Sequence, residues 1–155
     1  MSVAQLTANL SKCQRMKVGS VIVKDNRIIS CGYNGLPVGW EPDQPEITLT
    51  ISKNEYDRLS DLEKRRFGFI DYNVYVGLKT LDEVIHSEMN ALSRLAASTE
   101  SGIGAKLFCT HSPCIQCAKG IFGSGIDTVY YNDMYRSNDG LVFLEKCGVK
   151  IIKYE

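Results

Sequence analysis

The sequence predicts an α/β protein in three layers, a mixed five-stranded sheet with helices on both faces. Three observations carry that expectation. Two apolar, β-rich runs flank the turn Asp25-Asn26, as in an antiparallel hairpin. In the C-terminal half, short apolar runs alternate with helical stretches, which favours parallel neighbours joined by right-handed crossovers. The 155 residues are 44% hydrophobic and 23% charged, an ordinary globular composition with enough chain to bury one sizeable core. A single domain over residues 1–155 is expected.

Apolar positions from Ala4 to Cys13 fit an amphipathic helix, and Val18 to Val23 and Arg27 to Asn34 are the hairpin strands. Pro37, Pro42 and Pro45 then break periodicity. Ser52 and Glu55 have the spacing of a capping box, so a helix is expected from Ser52 to Phe67. Leu81 to Ala97 has helical spacing, with Thr80 or Asp82 as N-cap or a fresh start near His86; either way His86 lies close to a helix start. A strand at Ala105 to Thr110, a helix from Pro113 to about Phe122, and a strand at Thr128 to Tyr131 follow. Pro113 suits a first helical turn, where its missing N–H costs nothing. A helix from Asn138 to Cys147 stops at Gly148, and Val149 to Tyr154 closes the series as a strand. Residues 38–80 form a long insertion, expected to serve a nucleotide or regulatory site or a subunit contact.

Composition excludes several functions. Eighteen basic residues balance eighteen acidic ones, so no overall field favours a polyanion or a membrane surface. No run approaches the roughly 18 apolar residues of a membrane span, and the N-terminal residues lack a secretion signal, so a cytoplasmic setting is expected, a host cytoplasm if the source is a phage. Six cysteines without such a signal, two of them in a Cys-x-x-Cys pair, point to a reducing compartment and to metal or redox chemistry at Cys114 and Cys117.

The chemistry concentrates in His86-Ser87-Glu88 and Pro113-Cys114-Ile115-Gln116-Cys117. Cysteines three apart on a helix share a face and can hold one zinc, and a helix start favours the thiolate that binds metal. His86 as third ligand leaves a coordination position open, which marks a catalytic rather than a structural zinc. Glu88, two residues on, cannot easily share the ion with His86, but it can reach beside it as a general acid and base. His-x-Glu with Pro-Cys-x-x-Cys is the signature of zinc deaminases. His111 is the nearest substitute ligand, but its place before Pro113 on a strand-end loop favours an ordinary histidine.

On these motifs the chain resembles the cytidine and deoxycytidylate deaminase superfamily, most closely the deoxycytidylate (dCMP) deaminases of phage and bacterial type. The likeness extends through Lys17 to Val23, through Gly32-Tyr33-Asn34-Gly35-Leu36-Pro37-Val38-Gly39, and into Tyr130-Tyr131 and the tail from Gly148 to Tyr154. It is weak from Glu41 to Ile85. The chain departs from the family at Ser87, where Ala is usual, and at His111-Ser112 before Pro113.

The resemblance implies the cytidine-deaminase-like fold, one catalytic Zn2+ on His86, Cys114 and Cys117, and Glu88 as proton carrier. It implies hydrolytic deamination of dCMP to dUMP and ammonia, supplying dUMP for dTMP synthesis, with Asn34, and also Ser87, near the nucleotide. Arg15 and Lys17 are candidates for phosphate or a regulatory nucleotide; with Lys12 they cluster just before the first strand, and Arg136 lies beyond the fourth. Relatives of this type are homohexamers activated by dCTP and inhibited by dTTP, with Mg2+ accompanying a regulatory dCTP. A deaminase of tRNA or single-stranded DNA is the main competitor. It needs a basic, aromatic-lined surface, for which Lys64-Arg65-Arg66 is the one local run and which the charge balance disfavours. A catalytically silent module on the same fold is opposed by Glu88. Tyr130, Tyr131 and Tyr135 fit core packing or an interface better than base stacking.

Overall fold

A computed structural model describes residues 1–64, 67–71 and 74–154, with the side chains of 62 and 67–71 left aside. Its elements are α1 (Ser2–Ala8), β1 (Gly19–Lys24), β2 (Arg27–Tyr33), β3 (Glu46–Ser52), α2 (Lys53–Asp57), α3 (Asp61–Lys64), β4 (Phe67–Asp71), β5 (Val74–Thr80), α4 (Ser87–Ala96), β6 (Lys106–His111), α5 (Ile115–Gly123), β7 (Thr128–Asp133), α6 (Asp139–Lys146) and β8 (Lys150–Lys153).

The main sheet has five strands in the order β2-β1-β6-β7-β8. The hairpin β1-β2 turns through Asp25 and Asn26, both at positive φ, and β1 also pairs antiparallel with β6. From β6 the sheet is parallel, because α5 and α6 carry the chain back across one face between β6, β7 and β8. Side chains alternate across the pleat. Ile22, Leu107 and Val129 therefore form one row beneath Ala91, Leu92 and Leu95 of α4, Ala118 and Ile121 of α5 and Leu144 of α6, the wholly apolar core of the molecule. The opposite face takes α1, whose backbone lies against Gly19. This is the mixed, helix-covered sheet expected from the sequence.

The segment 46–80 departs from expectation. The helix expected from Ser52 to Phe67 is replaced by two short ones, and β3, β5 and β4 make a second, antiparallel sheet of three strands. Ser52 does form its capping box with Glu55, but Ser60 makes the same reciprocal contacts with Glu63, so the chain stops and restarts. The strands follow the alternation of Ile47-Thr48-Leu49-Thr50-Ile51 and the β-rich Val74-Tyr75-Val76. Tyr56 of α2 stacks on Tyr75 of β5 with ring centroids 3.7 Å apart.

The helix expected from Leu81 begins at Ser87, in agreement with the fresh start near His86, and α1 ends at Ala8 rather than Cys13. Arg65 and Arg66 of the basic run, and part of the expected Ser52–Phe67 helix, lie outside the described residues. Among the described residues no helix is long and apolar enough to cross a membrane, and all six cysteines are free thiols.

Candidate active site

Two helix starts converge at one end of the main sheet. His86 is the N-cap of α4 and Cys114 the N-cap of α5, both in extended backbone. Cys114 thus precedes its helix and Cys117 lies in the first turn, rather than both standing on one helical face. The approach to His86 is set by a β-bridge between Gly35 and Ile85, paired through both backbone N–H groups, while Asn90 Nδ2 donates to Tyr33 O at 2.7 Å. The approach to Cys114 is fixed where Ser112 N donates to Asp133 O and Tyr135 N donates to Ser112 Oγ, both at 2.8 Å.

His86 Nδ1 lies 3.5 Å from Cys114 Sγ and 3.4 Å from Cys117 Sγ, and all three ligand atoms fall within 4.8 Å of one another. A tetrahedral ion at ordinary Zn–S and Zn–N lengths requires N···S separations of about 3.6 Å, so one borderline-soft cation fits this donor set. Cys117 is buried, Cys114 half-buried and His86 exposed. The thiol of Cys114 is held down, to about 3, by hydrogen bonds from Cys117 and His86 that outweigh its burial. Cys117, which donates to it and is more deeply buried, is pushed well up. The Cys114 sulfur raises the His86 pKa in turn. The amide dipoles of two helix starts favour negative charge at the same place.

Glu88, in the first turn of α4, is 4% exposed, and burial raises its carboxyl pKa. A carboxyl with raised affinity for a proton, beside a cation site and open to a cavity, can exchange that proton with a bound molecule. The cavity measures about 850 Å3, a volume suited to a small organic ligand. His86, Glu88 and Cys114 form its floor, and its walls include Asn34, Arg15, His111, Tyr135, Arg136 and the Val76–Leu81 stretch from β5 onward.

Asn34 is nearly buried: Oδ1 accepts from Val18 N at 2.8 Å and Nδ2 donates to Met16 O at 2.9 Å, so its amide braces residues 16–18. Arg15 Nη1 donates to Thr80 Oγ1 at 3.0 Å, while Gln14 N and Arg15 N both donate to the Glu46 carboxylate. The second sheet is thereby clasped to the cavity rim. Lys17 is exposed and does not line the cavity, and Lys12 pairs with Asp43 beside a smaller hollow. Ser87 is fully buried, its hydroxyl bonded to Ser20 and Glu88. His111 lies outside the ligand trio, with Nδ1 3.2 Å from Thr110 Oγ1, and burial lowers its pKa.

Tyr131 is buried and Tyr130 stacks on Phe108 at 4.5 Å, while Tyr135 lines the cavity with the Arg136 guanidinium 5.0 Å from its ring centroid. Val76–Thr80 fall within the 38–80 insertion expected to serve a nucleotide or regulatory site or a subunit contact, but that expectation singled out no residue of the stretch. No local motif marks it, since the strand reaches the cavity only through the fold of the second sheet.

A family model for the cytidine and deoxycytidylate deaminase zinc-binding region matches residues 1–133. The ComE operon protein 2 of Bacillus subtilis is 31% identical over 156 residues, covering 100% of this chain and 69% of its own length. The deoxycytidylate deaminase of Enterobacteria phage T2 is 32% identical over 157 residues, covering 89% of this chain and 80% of its own. The crystal structure of the dCMP deaminase of cyanophage S-TIM5, in complex with dCMP and dUMP, superposes with a TM-score of 0.76 at 36% identity, covering 99% of this chain and 92% of that one.

Proposed function

This chain belongs to the cytidine and deoxycytidylate deaminase family, and we propose that it hydrolyses the exocyclic amine of dCMP to give dUMP and ammonia. The observation that carries this reading is the juxtaposition of the His86-Cys114-Cys117 trio with the buried carboxyl of Glu88 on the floor of a nucleotide-sized cavity.

Zn2+ is the ion this donor set suits, and when bound by His86, Cys114 and Cys117 it supplies a Lewis acid that brings a water to a pKa of about 7. Glu88 accepts the proton of the water that attacks C4 of the cytosine ring and delivers it to N3. The same carboxyl then takes the proton of the C4 hydroxyl and gives it to the departing amine, so the C4–N bond breaks to leave ammonia and the C4 carbonyl of dUMP. The apolar setting that raises the Glu88 pKa keeps it willing to hold a proton between these steps.

Phosphate recognition falls to the cations at the cavity wall. Arg15, Lys79 and Arg136 line it and Lys17 does not, so these three are the groups offered to the monophosphate. Asn34 serves the nucleotide by bracing residues 16–18, of which Met16 and Val18 line the same cavity. The 38–80 segment builds the facing wall through Val76–Thr80, within a single catalytic domain. Activation by dCTP with Mg2+, inhibition by dTTP and a hexameric assembly rest on the resemblance. A dCMP rate curve that stays hyperbolic and indifferent to dCTP, with an unchanged gel-filtration volume, argues against them.

Ammonia release from dCMP, dCTP, cytidine and a cytosine-containing oligonucleotide tests the substrate assignment. Turnover of dCMP well above the other three is expected. Preference for the oligonucleotide overturns the assignment, and inactivity on all four with zinc bound favours a silent module.

A further inference from the structure

Behind Glu88 runs a line of polar groups that the reaction as described does not use. Ser87 Oγ donates to Glu88 Oε2 at 2.9 Å, Ser20 Oγ lies 2.7 Å from Ser87 Oγ, and Cys109 Sγ lies 3.3 Å from Ser20 Oγ. Ser20, Ser87 and Cys109 are each 0% exposed, facing the apolar core between β1, β6 and α4. Their donors and acceptors can be ordered by chemistry. Ser87 donates its one hydroxyl proton to Glu88, so its oxygen accepts from Ser20, and the Ser20 oxygen in turn accepts from the Cys109 thiol. Burial raises the Cys109 pKa well above the usual thiol range, so that thiol keeps its proton. Every hydrogen bond in the line then points toward Glu88, and aligned bonds reinforce one another.

We propose that Ser87, held by Ser20 and Cys109, is a positioning residue that fixes the carboxyl plane of Glu88 for proton transfer. The proposal rests on the reading of Glu88 as the proton carrier. A glutamate's terminal torsion is broad, so an unanchored carboxyl samples many planes. The Ser87 contact ties down Oε2 and leaves the other lone pairs of the carboxylate for water and the base. Ser87 can do so only if its own hydroxyl is held, which is the task of Ser20 on the neighbouring strand. Packing alone gives no reason for two hydroxyls here, because an alanine fills the same apolar space without having to satisfy a buried polar group. Ser30 is the matched control: its buried hydroxyl donates to Ala91 O of the same helix α4 at 2.6 Å and is not part of the Ser87–Ser20–Cys109 line.

The test compares Ser87→Ala, Ser20→Ala, the double variant, Ser30→Ala and Glu88→Gln as zinc-loaded proteins. Ser87→Ala is expected to lower kcat for dCMP about tenfold, with KM within about twofold and zinc content unchanged. Ser20→Ala is expected to lower kcat less, and the double variant to match Ser87→Ala alone, because Ser20 acts through Ser87. Binding of the deoxyribonucleotide of pyrimidin-2-one, which takes up water without losing an amine, should weaken in Ser87→Ala by a similar factor. Ser30→Ala should lower the melting temperature and leave kcat in place. If Ser87→Ala keeps kcat within about twofold while Glu88→Gln loses it, the positioning role falls and the catalytic reading stands. Additive losses in the double variant, or a Ser30→Ala drop in kcat equal to that of Ser87→Ala, also overturn the role. Full turnover by Glu88→Gln overturns both readings. Should Ser87→Ala not fold, Ser20→Ala decides by the same split between kcat and KM.

Discussion

The two sulfurs facing His86 share a hydrogen bond that holds the Cys114 thiol down and pushes the Cys117 thiol up. A zinc ion needs both as thiolates and the imidazole as a neutral ligand, so loading the metal must expel the Cys117 proton. Calorimetric titration of the metal-free protein with Zn2+ at pH 7, in buffers of different ionisation enthalpy, should register release of about one proton or more per ion. A heat independent of buffer contradicts the ligand assignment. Cys117→Ser should lose tight zinc binding, and Cys114→Ser should do the same. At this scale the sequence was informative where the chemistry is local: His86, Glu88, Cys114 and Cys117 stand in two short motifs. The Ser20–Ser87 contact was not legible, because it joins residues 67 apart whose meeting depends on how α4 lies across β1.

Each ligand-bearing element passes its neighbour at a glycine. A Cβ on Gly32 of β2 would stand 2.4 Å from Ala91 N and from Ser87 O of α4, the helix that carries Glu88. A Cβ on Gly140 of α6 would stand 2.1 Å from Pro113 O and 2.9 Å from the Cys114 carbonyl. These obstacles are backbone atoms, which no rotamer change removes. Gly32→Ala should therefore cost about 1–3 kcal/mol of stability and reduce kcat by displacing α4. Gly140→Ala should weaken zinc binding while leaving the far end of α4 in place. Denaturant melts and zinc titrations check the pair, and wild-type values for both refute these close approaches as positioning devices. The core helices and the five main strands were readable because their apolar residues recur with the periods of helix and strand. The second sheet was hidden by the capping signal at Ser52, which governs only one helical turn, and by the proximity of Ser60, which starts another.

Across the whole molecule the balance of eighteen basic and eighteen acidic residues leaves local placement to decide what is attracted. Arg15, Lys79 and Arg136 line the cavity together with Asp82 and Glu88, so positive charge is offered there by a chain of zero net charge, an arrangement that suits a small anion better than a strand of nucleic acid. The same cavity wall sets a pH dependence of stability. Burial keeps the His111 pKa below its usual 6.5, so the unfolded chain takes up the proton more readily than the folded one. That contribution is intact above about pH 6.5 and is lost as the pH falls through the lowered folded value. On acidification from pH 7 to 5 the melting temperature of the wild type should change less favourably than that of His111→Asn, the difference between the two isolating the His111 contribution from the opposite one of His86 and Glu88; parallel curves would show that His111 does not contribute. Neither the cavity nor this coupling could be read from sequence, since both arise where β5, the 134–136 loop and the hairpin end come together.

Glu88→Gln keeps the size and most hydrogen-bonding capacity of the side chain while removing its ability to carry a proton. With zinc content and dCMP binding measured on the same sample, ammonia release should fall by at least about a hundredfold while both remain near wild type. Undiminished release from a zinc-loaded, dCMP-binding Glu88→Gln protein would contradict the assignment of Glu88 and, with it, the mechanism built on this site.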